Sequence, residues 1–127
     1  MHSCAYLAHD KGHGLTDYER AMQMKIYCVA QYLPKKGCEE RLFNALKSLE
    51  EGSRQDPGCI QYVTTKRVAS PFAEGSCLPI AMNEIWASID DFEYHCQTKP
   101  IKAFFENECL SQNGSVESWD VSIFERE

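Results

Sequence analysis

The amino-acid sequence predicts an α+β fold of the ferredoxin-like type, β-α-β-β-α-β, built on a four-stranded antiparallel sheet. Three observations predict it. Segments of strand-like and helix-like periodicity follow one another in that order from residue 24 to residue 124. The chain has 127 residues, the length of one domain with a modest core. Several strands carry apolar residues on both faces, whereas two helices cover only one face of such a sheet. The other face then needs a cover, and a second copy of the same sheet is the simplest one. The expectation is a homodimer in which two sheets pack face to face about a two-fold contact.

The first strand is residues 24–33, Met-Lys-Ile-Tyr-Cys-Val-Ala-Gln-Tyr-Leu, rich in strand formers and apolar on both parities. Pro34 to Gly37 turn the chain. A helix is expected over 38–54, because Cys38, Leu42, Ala45, Leu46 and Leu49 form one stripe at helical period, with Glu39, Glu40, Lys47, Glu50 and Glu51 on the wet side. Its early glutamates suit the positive end of the helix dipole. Asp56-Pro57-Gly58 punctuate the chain. The second strand is 59–68, with Ile60, Tyr62 and Thr64 on one parity and Cys59, Val63 and Thr65 on the other. A loop over 69–78 holds Pro71, Gly75 and Ser76 and is longer than an ordinary hairpin connection.

The third strand, 79–87, ends at Trp86 and Ala87. Ser88 is the N-cap of the next helix, with Asp91 in the capping-box position three residues on. That helix runs to about Gln97, breaks, and restarts at Thr98, with Pro100 tolerated in the first turn. Ile101, Phe104, Phe105 and Cys109 form its apolar side. After the Asn113-Gly114 turn, strand 115–124 alternates Trp119, Val121 and Ile123 against Ser118, Asp120 and Ser122.

Residues 1–23 differ in texture and read as an N-terminal extension to a domain spanning 24–127. They hold His2, His9 and His13 with little apolar periodicity, although Asp17 to Gln23 can form a short helical turn. Cys4, His9 and His13 have ligand chemistry, but without a fourth ligand or tight pairing they read as solvated surface groups, and no metal is expected. The formal net charge is −6 with no basic stripe, which argues against nucleic acid or an anionic membrane as partner. No apolar run approaches the about 18 residues of a membrane span, and no secretory signal is evident. The seven cysteines are scattered without a C-x-x-C pair and read as free thiols of a cytoplasmic protein.

In order and spacing these pieces resemble the antibiotic biosynthesis monooxygenase family, one of the dimeric α+β barrel families. The resemblance is carried by the opening strand with Pro34-Lys35-Lys36-Gly37 and a glutamate-rich helix start, and by Asp56-Pro57-Gly58-Cys59 leading to Tyr62. Glu84-Ile85-Trp86-Ala87-Ser88 continues it. Phe92-Glu93-Tyr94-His95 follows, then Thr98-Lys99-Pro100 and Lys102-Ala103-Phe104. The resemblance implies a cytoplasmic homodimer with a pocket in each subunit between sheet and helices. It implies oxidation of a small phenolic or quinol-type substrate by molecular oxygen, without flavin, metal or other cofactor. Similar domains degrade haem, isomerise a phosphorylated sugar derivative or have no known activity, and fold does not choose among these. The haem-degrading branch has counterparts of Trp86 and His95 but also a first-strand asparagine, where this chain has Ala30 and Gln31.

The candidate site lies around Asn83 to His95. Glu84 and Trp86 share one strand face, and His95, three residues after Phe92, shares that helix's inward face. An imidazole is the natural proton acceptor near neutral pH. The expected catalytic residues are His95 as base, with Trp86 and Glu84. Trp86 reads either as a core aromatic or as a pocket wall that stacks on a planar substrate, and Glu84 either as a paired structural acid or as a functional one. Tyr27, Tyr62, Asn83, Phe92 and Phe105 are the expected substrate-binding residues. Lys66, Arg67, Lys99 and Lys102 are the cations an isomerase-like phosphate pocket would need. A ligand-sensing dimer without turnover, or one that binds haem, is the non-enzymatic alternative.

Overall fold

The computed structural model describes Thr16 and residues 24–126. The extension over 1–23, its Cys4, His9 and His13 and the expected turn from Asp17 lie outside the described residues, Thr16 excepted. The elements are β1 (Lys25–Pro34), α1 (Glu39–Lys47), α2 (Glu50–Arg54), β2 (Cys59–Lys66), β3 (Ile80–Trp86), α3 (Ile89–Cys96) and α4 (Lys99–Phe104). A π-helical turn (Phe105–Leu110) and β4 (Val116–Arg126) complete the chain. The strands form one sheet in the order β2-β3-β1-β4, every pair antiparallel. This is the ferredoxin-like α+β architecture expected of the sequence.

The two faces of the sheet differ as strand alternation requires. Ile26, Cys28, Ala30 and Tyr32 of β1 and Ile80, Met82, Glu84 and Trp86 of β3 are buried, and they pack with Leu42 and Leu46 of α1 and Phe104 of α4. The intervening residues, Tyr27, Val29, Gln31 and Leu33 with Ala81, Asn83 and Ile85, are half-buried on the opposite face. β4 stays largely exposed, including Trp119, Val121, Ile123 and Phe124.

Local chemistry explains where the elements depart from simple periodicity. The helix expected over 38–54 is two helices. The Ser48 hydroxyl donates to the Ala45 carbonyl at 2.6 Å, and the Leu49 N–H bonds to the Leu46 carbonyl, so the last turn of α1 tightens and stops. α2 follows, and its side chains close the outer edge of β2. The Thr64 N–H donates to Glu50 at 2.8 Å, and Arg54 donates to the Tyr62 carbonyl at 3.2 Å. An edge strand thereby loses some of its free backbone groups.

The parity expected for β2 holds from Gln61 onward only. The register shifts between Cys59 and Gln61: Cys59 lies opposite Trp86 and Gln61 opposite Ile85, so Ile60 is the extra residue of a bulge and is exposed. Cys59 and Tyr62, expected on opposite faces, therefore share one. Ser88 caps α3 as expected. Its hydroxyl accepts from the Asp91 N–H at 3.2 Å and donates to the Asp91 carboxylate at 3.0 Å. The π-helical turn was not expected. Gly114 sits against its backbone, where a Cβ would collide with the Glu108 and Asn107 carbonyls. Glu108 holds the turn to the start of β4 by accepting from the Ser115 N–H and hydroxyl, and it pairs with Arg41 at 3.0 Å.

Gly58 fixes the turn before β2 to α3. Its φ is +76°, its carbonyl accepts from the Ala87 N–H at 2.8 Å, and a Cβ there would overlap the Asp91 side chain from its Cβ outward. Gly58→Ala combines left-handed backbone with a steric overlap at a capped helix. It is expected to cost about 2–3 kcal/mol, measured as a lower midpoint of urea unfolding at unchanged slope.

Candidate functional site

A cavity of about 120 Å³ lies between the helix-covered face of the sheet and α3 and α4. Cys28, Ala30 and Tyr32 of β1, Tyr62 of β2 and Glu84 of β3 form its floor. Phe92, His95 and Cys96 of α3, Ile101 and Phe104 of α4, and Phe105 form its roof, with Leu49 and Val121 at the sides. Cys96 and Val121 are also exposed and so mark the mouth. No lysine or arginine lines the cavity among the described residues.

His95 is brought inward because α3 starts at the Ser88 cap immediately after β3 and lays one face on the sheet. The residue is 3% exposed, and Nδ1 lies 3.0 Å from an Asp56 carboxylate oxygen. A carboxylate only accepts, so Nδ1 carries the proton and Nε2 the lone pair. Burial pulls the His95 pKa below its ordinary value, while the hydrogen bond and charge of Asp56 push the other way; the net shift is downward. The ring is therefore neutral at pH 7 and basic at Nε2.

Trp86 stands behind this arrangement. It is fully buried and does not reach the cavity wall. Its ring centroid is 4.5 Å from that of His95 with the planes 35° apart, and its indole N–H donates to Glu84 at 2.9 Å. Of the two readings open in the sequence, the core aromatic holds, and the indole touches both candidate acid–base groups. Tyr62 meets the His95 ring edge-on with centroids 5.1 Å apart.

Glu84 is 6% exposed. Burial raises its pKa from 4.5 to about 7, opposed by hydrogen bonds from the Trp86 indole and the Cys28 thiol. Burial also pushes the Tyr62, Tyr32 and Cys28 protons to higher pKa, and the Cys96 thiol to about 11, so none of these ionises near neutral pH.

Glu84, Tyr62, Phe92, His95 and Phe105 thus meet in one cavity as expected. Tyr27 and Asn83 do not join them. Tyr27 pairs between Ile85 and Phe124 on the other sheet face, and Asn83 donates to Thr65 Oγ1 at 3.0 Å there. Sequence reasoning missed Asp56 as a site residue: it was read as turn punctuation and as part of the Asp56-Pro57-Gly58-Cys59 piece of the resemblance, with no role at the imidazole. It touches His95 across 39 positions, and its one available signal is an acidic side chain at a turn beside the end of β3. Lys66 lies over the Phe43 ring, and Arg67 donates to the Gly75 carbonyl, so neither faces the cavity.

The fold and site together are an antiparallel ferredoxin-like sheet roofed by short helices, with one imidazole and one carboxyl on the wall of a small cavity. The chain belongs to the antibiotic biosynthesis monooxygenase family, whose model matches residues 25–107. It is similar to a solved protein from Shewanella oneidensis at 29% identity and TM-score 0.67, over 82% of this chain and 92% of that one. A conserved protein from Methanosarcina mazei shares the fold at 22% identity and TM-score 0.66, over 87% and 99% of the two chains. A dabb family protein with a ferredoxin-like fold from Mesorhizobium loti does so at 13% and 0.59, over 80% and 96%. No functionally curated protein matches the chain. No helix among the described residues is long and apolar enough to cross a membrane, no cluster of metal-ligating side chains occurs among them, and their six cysteines are free.

Proposed function

We propose that the protein is a cofactor-independent monooxygenase that oxidises a single-ring phenol or quinol with molecular oxygen. The observation that carries this reading is a neutral, Asp56-oriented His95 on the wall of an apolar cavity. His95 Nε2 takes the hydroxyl proton. The phenolate transfers one electron to oxygen, the ring radical and superoxide combine into a C–O bond, and the hydroperoxide takes up a proton and breaks at O–O. For a 1,4-quinol the sum is quinol plus oxygen giving hydroxyquinone plus water. The low-dielectric chamber strengthens the interactions that stabilise the anion.

The cavity size supports a small substrate. An apolar cavity of about 150 Å³ holds one benzene, and this one is of that order. A tetrapyrrole does not fit it, which weighs against haem as ligand. A phosphorylated carbonyl compound finds no lysine or arginine on the wall among the described residues, which weighs against the isomerase reading.

The test is oxygen uptake by metal-stripped protein over a panel of quinols under ¹⁸O₂. One labelled atom in the quinone and one in water is expected. A ligand-induced rise in melting temperature with no uptake for any quinol would instead make the protein a binder.

The reading includes a cytoplasmic homodimer. The half-buried sheet face, with the exposed Phe124 opposite Tyr27, supports the dimer, and the free described thiols support a reducing compartment. Val29 lies at the middle of the half-buried face. Val29→Glu is expected to halve the mass seen by sedimentation at micromolar concentration, and an unchanged dimer would move the interface elsewhere.

A further inference from the structure

We propose that Glu84 and His95 form a proton donor–acceptor pair that interconverts keto and enol forms of small cyclic carbonyl compounds, a C–H proton transfer that needs no oxygen. The proposal rests on His95 being the base of the site, and adds a carbon acid as substrate class and a donor role for Glu84.

Geometry carries the argument. Both side chains line one cavity of about 120 Å³, and both contact the same indole, so a six-membered ring in that cavity can reach both. The pair comes from two elements, β3 and α3, yet one residue sets both groups, because Trp86 donates its N–H to Glu84 and lays its ring on His95. Each group has a partner for the charge it acquires: Asp56 for an imidazolium and the indole N–H for a carboxylate.

The lack of a wall cation among the described residues favours transfer at both ends. A base acting alone on a ketone would leave an enolate with only the new imidazolium to balance it, on a wall that carries no lysine or arginine among the described residues, and a poorly solvated buried anion is costly. Transfer at both ends avoids it. The C–H bond beside the carbonyl breaks and its proton moves to His95 Nε2, while the Glu84 O–H breaks and its proton moves to the carbonyl oxygen. The product is a neutral enol beside an imidazolium and a carboxylate, and the reverse step restores both groups. Burial, which raises the Glu84 pKa and lowers that of His95, keeps acid and base in these forms together near neutral pH.

The experiment is deuterium exchange into cyclohexane-1,4-dione in D₂O under argon, followed by NMR loss of the ring C–H signal. Wild-type protein should exchange the probe about 100-fold faster than the same concentration of free imidazole. Glu84→Gln and His95→Gln, which keep side chains of similar size able to hydrogen-bond, should each fall to the imidazole rate with circular dichroism unchanged. Phenol, which fits the chamber, should inhibit wild-type exchange, a readout that requires no variant to fold. Exchange no faster than imidazole, full exchange by Glu84→Gln, or indifference to phenol would each overturn the proposal. Because oxygen is absent, the two readings separate: exchange without oxygen uptake removes only the oxygenase, and uptake without exchange removes only the pair.

Discussion

Replacing His95 with alanine is expected to lower quinol-dependent oxygen uptake by about 10²–10⁴-fold, the usual contribution of a positioned general base. The loss should sit in kcat, with KM little changed, because cavity area for substrate remains while the proton acceptor is gone. Asp56→Ala should act in the same direction and more weakly, by about 10-fold. It leaves the imidazole but removes the acceptor that places the proton on Nδ1 and the lone pair on Nε2. It also removes the influence that raises the His95 pKa, so the acidic limb of the pH–rate profile, where the base gains its proton, should move to lower pH in this variant. Full uptake by His95→Ala with every active quinol would show that another group takes the proton.

The second large effect is on stability. Glu84→Gln is expected to make the protein more stable than wild type above neutral pH by about 3 kcal/mol, and to make no such difference below pH 4.5. The sign follows from the folded-state value. Glu84 is raised from 4.5 to about 7, so the folded protein holds a proton that the unfolded chain releases. Its contribution is fully present below 4.5 and is lost as pH rises through about 7. A displacement of 2.5, taken as 7 minus 4.5, corresponds to about 3 kcal/mol at 1.36 kcal/mol per pH unit. The neutral amide still accepts the Trp86 N–H. Urea unfolding of both proteins at pH 4, 6 and 8.5 reads the difference directly, and parallel pH curves would show that folding leaves the Glu84 carboxyl titrating as it does in the unfolded chain.

Much of the architecture was written in local pattern. The Ser88 cap, the alternation of β1 and β3 and the apolar stripe Leu42, Leu46 and Leu49 have local causes, and the structure follows them. Parity also separates Asn83 from Glu84: the two are consecutive in one strand, so they cannot share a face. What was not legible is what depends on partners far along the chain. The bulge at Cys59–Gln61 is set by pairing with β3, the π-helical turn is held through Glu108 and Ser115 and meets Gly114, and Asp56 reaches His95 only after β2 and α3 have docked. The role of Trp86 belongs with these. Its burial was readable, but not that it would bear on the imidazole and the carboxyl together.

The seal that α2 places along β2 bears on how many copies can join. Endless ribbons of sheet need every molecule to offer two bare rims, one receiving and one given. Glu50 and Arg54 already occupy backbone groups on one rim, leaving β4 as the open one. Edge-to-edge growth through β2 would first have to break the α2 contacts, so the seal works against ribbons however two copies pair by their faces.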